Sequence, residues 1–300
     1  VGLATCFKSQ KSVVPVHLDV NPDTPEKMIE WAKAPSNDHR SKPTFCDPVT
    51  YHYMPPHRQS SVEFRPGRRF PKRLHQFWLG SSKLPPYDLI NTCRSLHPDW
   101  NITLWTEDNL KTIKYDSKYM ADGSMVLKLF NHQKDILKQV DALKLEILFR
   151  FGGVVMDADQ ICLSRLDEVL DYGLDYDYVA AYEHEHEHAG NITDLIANRV
   201  QIAHQYSPVV FQALVHLHSL RTGRGAWRTT GPCLVSEGIA YSGNRDKGKY
   251  NSVVKTCGGN IFTKKVPVCP QIDAIPIKLL PSSVFFPYHH SEVRKMKDCK

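Results

Sequence analysis

No run of about 18 consecutive apolar residues occurs in this chain, so no membrane-spanning helix is expected in it. None of the 8 cysteines forms a Cys-x-x-Cys pair, which argues against a zinc ribbon. There is no internal repeat, and low complexity is confined to one short Glu/His run. Neither sign of charge dominates: 38 Lys and Arg face 32 Asp and Glu, a net charge of +6. The densest basic stretch, Arg65 to Arg73, is broken by Pro66 and Pro71. It reads as a solvated connector rather than a polyanion groove, so no nucleic-acid partner is expected. A mild positive surface still suits an anionic nucleotide substrate.

What is present describes a globular protein. Hydrophobic residues make up 41% and charged residues 23% of 300 positions, enough for one large domain or two modest ones. The even number of cysteines permits disulfides and, with two Asn-x-Thr sequons at Asn101 and Asn191, leans toward a secretory compartment. Free cysteines in a cytoplasmic protein are the alternative.

Residues 1–70 are rich in proline, histidine and polar side chains. One helix is expected there, capped by Thr24 with Pro25 at its first position. The region reads as an N-terminal extension packed on a core of residues 71–300. Order sharpens after Pro71. Lys72 to Leu79 alternates as a strand, Tyr87 to Leu96 has helical spacing, and Asn101 to Trp105 is a second strand. That βαβ order predicts a parallel pair. Asp135 to Phe151 is the clearest helix, with Ile136, Val140, Leu143, Ile147, Leu148 and Phe151 forming an apolar stripe. Gly152-Gly153 ends it. Val154 to Leu163 then reads as a strand with a buried first half. A further strand is expected at Tyr178 to Tyr182.

The triplet Asp157-Ala158-Asp159 falls near the end of that buried strand. Alternation puts the two carboxylates on one side, roughly 6 to 7 Å apart. Two such charges repel unless a cation sits between them. Oxygen ligands favour Mn²⁺ or Mg²⁺, which take their remaining ligands from substrate phosphates. In α/β proteins ligands bind at the carboxyl ends of strands. A divalent ion clamping a diphosphate is therefore the physical expectation.

The context of the triplet is more specific. The segment DALKLEILFRFGGVVMDADQICLSRLDEVL, Asp141 to Leu170, resembles the core signature of DXD-containing glycosyltransferases. Pro71 to Gly80 is similar to the opening strand of that family. Asn198, Thr230-Gly231-Pro232 and Leu280 to Pro287 look like its later landmarks, in order. The family includes initiating α-1,6-mannosyltransferases of yeast and, more distantly, large clostridial glucosylating toxins. The resemblance implies a GT-A fold, α/β with a mostly parallel sheet and helices on both faces. It implies a metal-dependent, retaining transfer of a sugar from a UDP- or GDP-sugar to a glycan or other hydroxyl acceptor, in the Golgi lumen.

Residue by residue, the resemblance makes Asp141, Asp157 and Asp159 the candidate catalytic groups. It assigns Trp78, Gln76, Asp141, Lys144, Gly153 and Asp157 to the donor, with Trp78 stacking on the base. Asp157 and Asp159 would hold the ion, joined by His289 or His290 near the C-terminal end, where Ser291 is a further candidate. The sequence departs from the family at Lys144, which stands where the family has Arg. A lysine supplies the charge without the bidentate fork. It could equally be a surface partner of Asp141 at i,i+3.

The run AYEHEHEH, Ala181 to His188, has two readings. Extended, it sets Glu183, Glu185 and Glu187 on one face and the histidines on the other, and a pair of such histidines can chelate zinc. Alternatively it is a loop near the cleft, with Glu183, His184 and Asn198 on the acceptor side. Two rival functions stay open. One is a metal-binding module built on Glu183 to His188. The other is a catalytically inactive relative that binds carbohydrate or nucleotide sugar.

Overall fold

The computed structural model describes residues 67–108, 135–171, 176–183, 194–217, 225–240, 247–258 and 275–285. The helix expected at Thr24, residues His184 to His188, and His289, His290 and Ser291 lie outside the described residues.

Strand β1 (Arg73–Phe77) leads into helix α1 (Tyr87–Leu96) and strand β2 (Asn101–Trp105). Helix α2 (Ile136–Phe151) precedes strand β3 (Gly153–Asp157) and the short helix α3 (Asp167–Asp171). Strands β4 (Tyr178–Tyr182) and β5 (Ile196–Ala203) follow, then helices α4 (Pro208–Leu217), α5 (Pro232–Val235) and α6 (Lys247–Thr256). Strand β6 (Ile277–Leu280) and helix α7 (Ser282–Phe285) complete the described elements.

The six strands form one sheet in the order β2-β1-β3-β5-β4-β6. β1 pairs in parallel with β2 and β3, and β4 pairs in parallel with β6. β5 is antiparallel to both neighbours, so it alone runs against the other five. This is the expected α/β, mostly parallel architecture, and the β1-α1-β2 unit has the parallel pairing its sequence predicts. β5 was not anticipated.

Alternation along the strands builds two cores. Phe77, Val155, Tyr178 and Ala180 face α2 and α4. Leu74, Val154, Met156 and Val179 face the opposite side, with Cys93 and Trp100. Asp157 continues the alternation of Val155 and so points toward α2.

Helix α2 begins with Asp135, whose side chain accepts from the Leu137 N–H at 3.1 Å. It ends at Gly152, whose N–H donates to Leu148 O. It packs on β1, β3 and β5 and against α4. Its burial exceeds a single stripe: every residue from Ala142 to Phe151 is buried, Lys144, Glu146 and Arg150 included. Glu146 and Arg150 resolve part of that cost by pairing with each other. A helix enclosed on several sides must place its charges against internal partners.

Two glycines set the entry into β3. Gly152 and Gly153 have φ of 64° and 89°. A Cβ on Gly153 would lie 2.5 Å from the Arg73 carbonyl oxygen, and one on Gly152 2.4 Å from the Gln205 nitrogen. Neither clash can be relieved by turning a side chain.

Candidate active site

β3 ends at Asp157, and Asp159 lies in the turn beyond it. The Gln160 N–H donates to Asp157 O at 3.3 Å and closes that turn. The strand expected to run to Leu163 therefore stops early, and the strand spacing of the two carboxylates does not apply. The apolar run ends at Met156, and the polar residues after it take the chain out of the ladder.

The turn is held down along its whole descent. Cys162 is disulfide-bonded to Cys93 on α1, and its N–H donates to Thr92 Oγ1 at 3.0 Å. Arg165 donates to Leu96 O at 2.8 Å, and the Leu166 N–H donates to His97 Nε2 at 2.8 Å. A second disulfide joins Cys233 to Cys257.

Asp157 meets a buried cation. Lys144 Nζ lies 2.5 Å from Asp157 Oδ1 and 3.9 Å from Asp141 Oδ1, with its side chain only 3% exposed. It is not the surface partner of Asp141 that i,i+3 spacing allowed. Burial alone would lower its pKa, but the charges of Asp157 and Asp141 outweigh that and raise it. Asp141 is itself fixed by two donors, Asn198 Nδ2 at 2.8 Å and Thr230 Oγ1 at 2.9 Å. Burial pushes the Asp141 carboxyl up to about 6, with Asp157 adding to the rise and Lys144, Thr230 and Asn198 opposing it. Asp159 keeps an exposed surface, yet desolvation by the protein beside it and the Asp157 charge both raise its pKa.

Trp78 lies just past the end of β1. Its backbone N–H donates to Trp105 O at 2.9 Å, and its indole N–H to Lys83 O at 3.0 Å. The half-buried ring packs against Ile90, Leu104 and Ala158, the central residue of the triplet. It therefore borders the carboxylates.

The structure thus brings together Asp141, Lys144, Asp157 and Asn198, with Trp78 and Asp159 flanking them. Asn198, expected on the acceptor side, instead holds Asp141. Gln76 is fully buried and shares the face of Leu74 and Met156, away from Asp157. Gly153 stands at the opposite end of β3 from Asp157, about 13 Å away at strand rise. Its evident role is close backbone packing. Glu183 pairs with Arg199 at 3.4 Å at the ends of β4 and β5. Thr230 was legible only as part of a landmark, without a role, and Arg199 carried no signal at all. A hydroxyl just before Gly231-Pro232, where a helix opens, was the available signal for Thr230. Arg199 lies in the irregular start of β5, where the β4 register shifts between Ala180 and Tyr182, and alternation could not place it.

The residues present fit a divalent ion of the expected kind. Asp157 and Asp159 offer two hard carboxylate ligands at the end of β3, close enough that the Asp157 charge raises the Asp159 pKa. Among the described residues no group of three His, Cys, Asp or Glu could hold a metal. Ligands beyond the two carboxylates would come from a bound substrate or from outside those residues.

Residues 87–174 match the family described as glycosyltransferase sugar-binding region containing DXD motif. That stretch contains α1, α2 and β3, with Asp141, Lys144, Asp157 and Asp159. The chain is 27% identical over 106 residues to inositol phosphoceramide mannosyltransferase 1 of Schizosaccharomyces pombe, covering 34% of this chain and 32% of that protein. It is 33% identical over 79 residues to mannosyl phosphorylinositol ceramide synthase SUR1 of Saccharomyces cerevisiae, covering 26% and 19%. The similarity to the first of these thus spans about a third of the relative's length. Among solved structures it is similar to the PaToxG glycosyltransferase, with a TM-score of 0.45 and 14% identity over 66% of this chain and 81% of that one.

Proposed function

We infer that this chain is a metal-dependent retaining glycosyltransferase that takes a sugar from a nucleotide-diphosphate sugar. The observation that carries this is the carboxylate cluster at the carboxyl end of β3, where Asp157 and Asp141 flank Lys144. One relative is named a mannosyltransferase and the other a mannosyl phosphorylinositol ceramide synthase, so a mannose nucleotide is the first donor to test.

Asp157 and Asp159 would hold Mn²⁺ or Mg²⁺, which when bound supplies charge neutralisation on the leaving diphosphate. The chain's own residues do the positioning. Asp141, fixed by Asn198 and Thr230, presents an oriented carboxylate to donor hydroxyls. Trp78 offers a half-buried ring beside the triplet for the base, a contact worth about 1 to 3 kcal/mol. Holding donor and acceptor in one geometry lowers the barrier by removing the entropy of encounter. The acceptor is a hydroxyl-bearing glycan or glycolipid, approaching from the ends of β4 and β5. The two disulfides support an oxidising, secretory compartment.

The test is turnover of UDP- and GDP-sugars with and without Mn²⁺, with product configuration read by NMR. Release of nucleotide only with the ion and a configuration-retaining product are expected. Metal-independent turnover or inversion would overturn the assignment. The Glu/His module is not favoured, because its one described member, Glu183, is engaged by Arg199.

A further inference from the structure

We propose that Lys144 is a built-in counter-cation that keeps the carboxylate site assembled before donor arrives and competes with the divalent ion for Asp157. The proposal rests on the metal site inferred above.

The geometry is that of an internal cation, not a surface pair. Lys144 sits on the most enclosed helix of the fold, with 3% of its side chain exposed. Its ammonium is 2.5 Å from Asp157 Oδ1, and its second carboxylate, Asp141, stands at 3.9 Å. Asp157 arrives on β3, and Asp141 lies one helical turn before Lys144 on α2. One positive charge therefore joins the sheet to the helix at the carboxylate that the ion would also use. Without it, Asp141 and the partly exposed Asp157 would meet beside the core with no positive charge between them.

The same contact carries a consequence for metal binding. A divalent ion binds a carboxylate oxygen at about 2.0 to 2.1 Å if Mg²⁺. An ammonium already on that carboxylate is then a like charge a few ångströms away, poorly screened because it is buried. Lys144 thus weakens the ion in the donor-free protein. A donor diphosphate adds negative charge and restores the balance. Metal and donor are therefore expected to bind in a mutually dependent way.

Mn²⁺ binding without donor tests this, followed by loss of the free-ion paramagnetic resonance signal, alongside metal-free thermal unfolding. Lys144→Met should unfold at lower temperature without metal and bind Mn²⁺ at least tenfold tighter than wild type. Asp159→Asn added to either protein should remove the binding. Equal or weaker Mn²⁺ affinity in Lys144→Met overturns the proposal and leaves the metal site standing. No saturable Mn²⁺ binding in either protein, with or without a nucleoside diphosphate, overturns the metal site and the proposal together. Should Lys144→Met not fold, Lys144→Arg decides: its guanidinium grips both carboxylates, so Mn²⁺ should bind no more tightly than in wild type. Tighter binding in Lys144→Arg overturns the proposal.

Discussion

The Thr230 hydroxyl donates to Asp141 Oδ2 at 2.9 Å, across 89 residues of sequence. It ties the loop before α5 to the first turns of α2 and, with Asn198, sets the direction in which Asp141 faces. A hydrogen bond to a charged group contributes about 1.5 to 3 kcal/mol. Thr230→Val should therefore cost about that much on unfolding and lower kcat/KM for the donor about tenfold or more. Thr230→Ser should recover most of both. Chemical denaturation and donor kinetics check the pair.

Asp141 also carries a pH signature. Its folded pKa of about 6 lies above the ordinary 3.8, so the folded state binds this proton more tightly than the unfolded one. The sign follows: the contribution is fully present below about pH 4 and is lost as pH rises through about 6. Its size is about 3 kcal/mol. Asp141→Asn removes the titration, so the stability difference between wild type and variant should change by about that amount over this window and stay level above pH 7. Urea unfolding from pH 4 to 8 measures it.

The Cys93–Cys162 bridge closes 69 residues of chain and pins the segment that follows Asp159. Removing it with Cys93→Ser plus Cys162→Ser should cost about 2 to 5 kcal/mol. Turnover at saturating Mn²⁺ should also fall, since Asp159 loses its fixed anchor. A paired Cys233→Ser plus Cys257→Ser variant, which leaves that anchor intact, should lose stability without a comparable fall in turnover at saturating Mn²⁺.

Gly153→Ala separates packing from donor binding. With φ at 89° and the Arg73 carbonyl oxygen 2.5 Å from the added Cβ, the variant should be recovered in low yield and melt well below wild type. Any folded fraction should keep the wild-type KM for donor.

These features were unequally legible in the sequence. α1, β2 and β4 have the expected bounds. Asp141, Lys144 and Asp157 were named from the chain, but their mutual geometry was not. The resemblance assigns Lys144 to the donor, with a surface pair to Asp141 as the alternative, and an i,i+3 acid is the only partner that local spacing offers. Its true partner arrives on β3, and nothing in local spacing records that. The strand at Asp157 was extended too far because Ile161 and Leu163 continue an apolar pattern, and both are exposed, at 46% and 71%. β5 went unseen because Asn198, Arg199 and Gln201 interrupt its alternation, and Asn198 and Arg199 sit where the register with β4 shifts.

On the proposed function, Asp157 and Asp159 hold a divalent ion that donor chemistry requires. The most direct measurement is Mn²⁺-dependent release of nucleotide from a mannose nucleotide by wild type, Asp157→Asn and Asp159→Ala, each shown folded by circular dichroism. Loss of at least a thousandfold in both variants, not restored by excess Mn²⁺, is the predicted result. Wild-type rates in either folded variant would contradict it.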